Sequence, residues 1–375
     1  MTRILLPVAL LSLLTTPAWA DDTAKDDQAT AASLADNLKA DPDDVKAFAA
    51  YRSESVGAVF DLIDQKKFDE AEAKLDDLKA FLDSLTPQSK EAKSALARLK
   101  QSVPSYRGEI ELARTSLEDL SKAVDAQPAE LELFNKYMRK VSIEIGALIY
   151  SEPAKADPIL SPAKDRLAKL KLSLGDDGAN KRQLELLDRR MTSLEKRIES
   201  GKKIAALPGQ SAAPLDVEAW LNGAPLTDAD LKGKVVLLDF WAVWCGPCIA
   251  TFPHLKEWNE KYADQGLVMI GVTKYYNFEW NEVAGKAVGI NPMEKEVSPQ
   301  DEQEMLKEFA KLHGLTHRFA VQKKGAPLDD FYGSMAIPQV VVIDRLGKIQ
   351  LVKVGSGEEN AKAIEETIEK LLASK

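Results

Sequence analysis

Two cysteines carry the chemistry that this chain can most plainly do. Cys245 and Cys248 are the only thiols among 375 residues, and they stand in a C-x-x-C spacing. An apolar run, Val235 to Phe240, precedes them, and a stretch of helical character begins at Gly246. A strand, a tight turn and a helix start place the first thiol at a helix N-terminus, where aligned peptide dipoles and free N–H groups favour a thiolate. The second thiol sits one turn inward and can attack the first sulfur once that sulfur is engaged. Gly246 and Pro247 fill the turn; Pro247 has no N–H to satisfy and pre-sets φ for the first helical turn. A disulfide across so small a loop adds little chain-entropy stability, so the pair is hard to explain as a staple. A four-ligand zinc site needs further ligands, and only His254, His313 and His317 are on offer. Neither a metal nor a cofactor is expected. Asp239 is the one acid in the apolar run, and desolvation there should raise its pKa.

The elements that must position these groups follow in order. Leu207 to Pro214 is a Pro/Gly/Ser/Ala linker, and Asn222-Gly223 gives a hairpin turn signal. Val235 to Phe240 reads as a central strand buried on both faces. Gly246 to about Tyr262 reads as a helix that Pro253 should kink. Leu267 to Val272 is a second buried strand, followed by a long aromatic and charged insertion over about 273–297. Ser298-Pro299-Gln300-Asp301 starts a helix that stops at Gly314. Arg318 to Val321 is a short strand; Gln339 to Asp344 and Ile349 to Val354 form a hairpin; Glu358 to Leu372 closes the chain as an amphipathic helix.

With the thiols where the first core strand meets its helix, this order resembles the thioredoxin arrangement. DFWAVWCGPC differs at one position from the active-site segment of thioredoxins, Pro253 matches their helix proline, and Ile337-Pro338 before QVVVID matches their cis-proline. The insertion makes the segment from Leu207 to Lys375 similar to the exported TlpA/ResA-like branch. The resemblance implies an α/β thioredoxin-fold domain, a central mixed sheet flanked by helices. It implies Cys245 as nucleophile, Cys248 as resolving thiol, and Asp239 as proton acceptor for Cys248. It also implies a substrate-binding surface of Trp244, Gly246, Pro247, Ile337 and Pro338, with the exposed backbone of Ile337 pairing with an extended substrate. In this family Gly-Pro between the cysteines goes with reducing proteins. Some cytochrome-maturation relatives carry a glutamate just after the second strand; here the stretch is GVTKYYNFEW, with Glu279 later. Lys274 could approach Asp239, though a solvated lysine is the default. Trp241 is expected in the core and His254 at the surface.

Residues 1–20 read as a secretory signal peptide: Arg3, an apolar core Ile4–Leu14, and an Ala18-Trp19-Ala20 cleavage pattern. A bacterial periplasmic location follows, with no later transmembrane segment. Residues 21–206 form the other domain. From about Ser53 to Lys203 apolar residues step by three and four, as in Phe68, Ala71, Leu75, Leu78, Leu82 and Leu85. Helix ends are expected near Pro87, Pro104, Pro128, Pro153 and Gly175. This is the pattern of an all-helical bundle or hairpin array, an α domain that docks a partner or self-associates. With 59 acidic against 50 basic residues, a nucleic-acid partner is not expected.

The leading reading is an exported thiol–disulfide oxidoreductase, in the reducing direction, acting on protein thiols and disulfides and renewed by an upstream thiol reductant. Two alternatives remain open. One is a helical binding or assembly protein with a thioredoxin-like adaptor; the other is a peroxiredoxin-like peroxidase, against which Ala242 stands where that family has threonine.

Overall fold

The computed structural model describes residues 30–175 and 178–374; the expected signal peptide lies outside them. Packing divides the described residues into two compact units, one running up to Leu148 and taking in Lys155–Leu194, the other made of Ile149–Ala154 and the residues from Glu195 onward.

The first unit is helical: α1 Ala31–Ala40, α2 Val45–Asp64, α3 Phe68–Ser84, α4 Lys90–Arg114, α5 Leu117–Ala126, α6 Leu131–Leu148, α7 Asp157–Leu174, and the first turns of α8, Gly178–Ala206. Successive helices pack as hairpins, α1 on α2, α2 on α3, α3 on α4, and α5 through α7 likewise. The three-and-four seams are the buried faces: Ala71, Leu75, Leu78 and Leu82 on α3, and Phe134, Met138, Val141 and Ile145 on α6. Side-chain caps from Asp44, Ser89 and Ser116 take up first-turn N–H groups of α2, α4 and α5. Helix starts before the expected onset because α1, with only Leu34 and Leu38 buried, is too short and polar to show a period. Pro104 does not end a helix; α4 runs through it to Arg114. An interior proline costs about 3 kcal/mol. Leu96, Leu99, Val103, Tyr106 and Ile110 stay buried along one seam, and each such side chain contributes about 1.5–3 kcal/mol. The seam therefore outweighs the break.

The second unit is built on a six-stranded sheet in the order β1-β6-β3-β2-β7-β8. The strands are β1 Val217–Leu221, β2 Val235–Phe240, β3 Leu267–Thr273, β6 Arg318–Gln322, β7 Gln339–Ile343 and β8 Ile349–Val354. β2, β3 and β6 are parallel, and β1, β7 and β8 run antiparallel to their neighbours. The alternation of β2 splits its side chains between two cores. Val235, Leu237 and Trp241 face helices α10 Gly246–Tyr262, α11 Pro299–His313 and α13 Glu358–Ala373, while Val236, Leu238 and Phe240 face Leu328 and Tyr332 of α12 Pro327–Tyr332. A short α9, Asp228–Leu231, precedes β2, and the insertion holds a hairpin, β4 Phe278–Asn281 with β5 Lys286–Gly289.

Asn222-Gly223 does not turn a hairpin. β1 pairs with the distant β6, and Asn222, at φ 58°, uses its side-chain amide to bond the carbonyls of Leu315 and His317 at 2.8 and 2.7 Å. The left-handed conformation that suggested a turn serves here to anchor the sheet edge. α10 continues past Pro253 to Tyr262, and Ser298 caps α11, which ends in left-handed Gly314.

The last turns of α8, expected in the helical half, belong with this second unit. Ser200 Oγ donates to the Gly333 carbonyl at 2.6 Å, and Ile204 is buried. Gly201 admits the backbone of Ile149: a Cβ there would lie 2.2 Å from the Ile149 oxygen.

Candidate active site

Cys245 is the N-cap of α10, and its Sγ accepts the N–H of Cys248 at 3.2 Å. The two cysteines are joined in a disulfide. Gly246 and Pro247 are exposed at the turn, while Cys248 is fully buried beneath it. On reduction, the N–H already aimed at Cys245 and the dipole of a helix 17 residues long both favour negative charge on that sulfur.

Asp239 lies on β2 between Gly271 of β3 and Val340 of β7. Period-two alternation gives it the face of Leu237 and Trp241, the face that α10 and Cys248 cover. It is 1% exposed, and neither carboxylate oxygen has a hydrogen-bond partner among the described residues. Burial alone pushes its carboxyl up to about 7.

Strand register brings the proline loop to the thiols. Phe240 pairs with Gln339, so Pro338 stands opposite Trp241, at the end of β2 where Cys245 follows. The Ile337-Pro338 bond is cis. The loop is tied on both sides: Gly355 N–H donates to the Pro338 carbonyl at 2.8 Å, and the Gln339 side-chain amide donates to Tyr332 O at 2.9 Å. Ile337 is half-buried, and Trp244 is 53% exposed beside the thiols, edge-on to Tyr276 at 5.4 Å. Trp241 is core, stacked on Phe309 and packed on Phe252 and Phe319. Its indole passes over Gly271, where a Cβ would come within 2.7 Å of Nε1.

Several contacts at this end of the sheet gave no signal in the sequence. Lys274 is partly exposed and does not approach Asp239: its Nζ donates to Asp329 Oδ2 at 2.7 Å and lies 5.6 Å from the Tyr276 ring centre. Gln322 donates to Asp329 Oδ1 at 2.7 Å and accepts the N–H groups of Leu328 and Asp329, each at 3.0 Å. Phe240, Thr273, Lys274 and Gln322, at the ends of β2, β3 and β6, join Trp244 and Tyr276 around a cavity of ≈130 Å³. The buried carboxylate of Glu302 on α11 accepts the N–H groups of Tyr276 and Asn277, each at 2.8 Å, and so fixes the start of the insertion. The partners of Lys274 and Glu302 are 25 to 55 positions away, with no spacing rule to connect them. Glu279 is paired with Lys295 within the insertion and does not line the cavity. His254 is partly exposed on α10, stacked on Trp258 and near Glu358. Burial pushes His317 down to about 4.

The Redoxin family model matches residues 207–372. Thioredoxin-like protein YneN of Bacillus subtilis is 30% identical over 157 residues, 42% of this chain and 77% of that protein. Thiol-disulfide oxidoreductase ResA of Bacillus cereus is 29% identical over 180 residues, 48% of this chain and 82% of the relative. Among solved structures, a thiol-disulfide isomerase from Corynebacterium glutamicum aligns with 46% of this chain and 99% of its own at 20% identity, with a TM-score of 0.34. Among the described residues, no helix is long and apolar enough to cross a membrane.

Proposed function

Since the chain belongs, through its C-terminal half, to the thioredoxin-like thiol–disulfide oxidoreductases, we propose that it is an exported reductase of protein disulfides. The observation that carries the reading is the Cys245–Cys248 pair at the start of α10, over the sheet face that buries Asp239. The Cys245 thiolate attacks one sulfur of a substrate disulfide; a mixed disulfide forms and the other substrate sulfur leaves as a thiolate. Asp239 accepts the proton of Cys248, whose sulfur then attacks Cys245. The second substrate thiol is released and the Cys245–Cys248 disulfide forms, so two electrons have passed to the substrate. An upstream thiol reductant returns the pair to the dithiol.

Trp244, Gly246, Pro247 and the backbone at Ile337-Pro338 form the surface on which an extended substrate segment lies. Export rests on the charged, apolar and A-x-A pattern of residues 1–20, and residues 21–206 serve as a docking or self-association module.

The test is redox titration with insulin reduction and trapping. The wild-type pair should equilibrate at a potential below about −200 mV, on the reducing side of protein disulfide isomerase. Cys245→Ser should abolish insulin reduction, and Cys248→Ser should accumulate mixed disulfides with its partners. A potential near that of DsbA, about −120 mV, would overturn the reducing direction. Insulin reduction that survives Cys245→Ser would overturn the mechanism.

A further inference from the structure

The cavity beside the thiols has a chemistry that disulfide exchange does not use. Trp244, which immediately precedes Cys245, and Ile337, which precedes the cis-proline, both line it. A substrate held at the proline loop with its sulfur at Cys245 therefore lays a neighbouring side chain over the opening. The volume of ≈130 Å³ is about four times the share of one liquid water, enough for a short polar side chain.

The groups left over inside it are donors. Asp329 has both oxygens engaged, one by Gln322 and one by Lys274. The Lys274 ammonium carries three N–H groups and gives one of them to Asp329. Thr273 and Ser334 line the same space, and their hydroxyls, both closed off from solvent, have no hydrogen-bond partner among the described residues; Thr273 is 2% exposed. Asp329 balances the charge of Lys274, so what the cavity offers is hydrogen-bond donors, from the rest of the ammonium and from the two hydroxyls, and donors suit the oxygen pair of a carboxylate. A second cation would face Lys274 without a free carboxylate to meet it.

We propose that this cavity is a carboxylate subsite that selects protein substrates with an acidic side chain next to the disulfide cysteine. The proposal rests on the oxidoreductase reading above. Lys274 supplies charge-assisted hydrogen bonds, Thr273 and Ser334 supply neutral ones, and Asp329 with Gln322 holds the Lys274 ammonium in place. The chain is acidic overall, with a formal net charge of −9, so its long-range field does not attract such a substrate, and the preference has to come from these contacts.

The experiment uses the reduced full chain and two disulfide-linked peptide dimers that differ only in Asp or Asn after the cysteine. Each rate is divided by the rate of the same peptide with dithiothreitol, to remove intrinsic reactivity. The corrected Asp:Asn ratio should be about tenfold in the wild type, as a charge-assisted hydrogen bond would give. The ratio should fall with added salt, approach one in Lys274→Gln, and return in Lys274→Arg. A wild-type ratio near one, with both peptides reduced, overturns the subsite and leaves the oxidoreductase reading standing; this arm needs no variant to fold. Reduction of neither peptide overturns the oxidoreductase reading, and the subsite with it. Oxidised glutathione is the third probe; faster corrected turnover of it than of the Asp peptide overturns the assignment to a protein side chain.

Discussion

Replacing Asp239 by Asn separates the cost of a buried charge from every other property of the site. The carboxyl ordinarily titrates at 3.8 and here is raised to about 7 by burial alone. Between those values the folded state holds a proton that the unfolded chain has released, so stability falls as pH rises through this window. It is full below the unfolded pKa and level again above about 7. A shift of about three units at 1.36 kcal/mol each amounts to about 4 kcal/mol. The Asn variant has no proton to lose. Its amide is no poorer in partners than the protonated carboxyl it replaces, so it should match the wild type at about pH 4 and exceed it at about pH 8 by up to about 4 kcal/mol. The assay is urea unfolding of the disulfide form, followed by tryptophan fluorescence. All tryptophans after Trp19 lie between Trp220 and Trp280, so the signal reports the sheet unit alone. A stability difference that is the same at both pH values would refute the claim that desolvation sets this pKa. The same variant should slow release of the mixed disulfide, because Cys248 loses its proton acceptor.

Three further perturbations test packing and anchoring elsewhere in the chain. Gly201→Ala drives a Cβ into the Ile149 carbonyl and should cost about 1–3 kcal/mol by overpacking, read as a lower urea midpoint in the same fluorescence signal. Gly57→Ala on α2 meets nothing within 4 Å and should instead stabilise the helical unit by about 0.5–1 kcal/mol, read by circular dichroism; a loss there would contradict the helix argument. Glu302→Gln leaves one acceptor for the N–H groups of Tyr276 and Asn277, which now share a carboxylate. Hydrogen exchange at these two amides should rise by about tenfold or more, as expected when a bond to a charged group is lost. Unchanged exchange would show that the insertion is held elsewhere.

What could be read from the chain alone divides along physical lines. Contiguous features were legible. The C-x-x-C turn, the apolar β2 run and the Ser298-Pro299 helix start each depend on neighbours in sequence, and each stands in the structure as expected. Ile337-Pro338 was legible only through resemblance, since nothing in an X-Pro pair by itself selects the cis form. Contacts that close over long separations were not legible. Lys274 finds Asp329, and Glu302 reaches back to the insertion, through the order in which β3, β6 and α11 come together. Local signals also misled where tertiary packing outweighed them. Pro104 was outweighed by a buried seam, and the Asn222-Gly223 turn signal was taken up by two carbonyls of the neighbouring strand entry.

The end of α8 gives the redox half a border that descent and mechanics draw differently. The Redoxin match begins at residue 207, yet Ser200 already holds the carbonyl of Gly333, just ahead of the proline loop. A fragment cut where the family begins would keep both cysteines and lose a brace on the segment that leads to Ile337-Pro338. A fragment cut at Glu195 would keep that brace but leave the Gly201 face without Ile149. The twelve residues before the inherited fold therefore act as part of its frame, and a transplant of this redox unit onto another protein should carry them along.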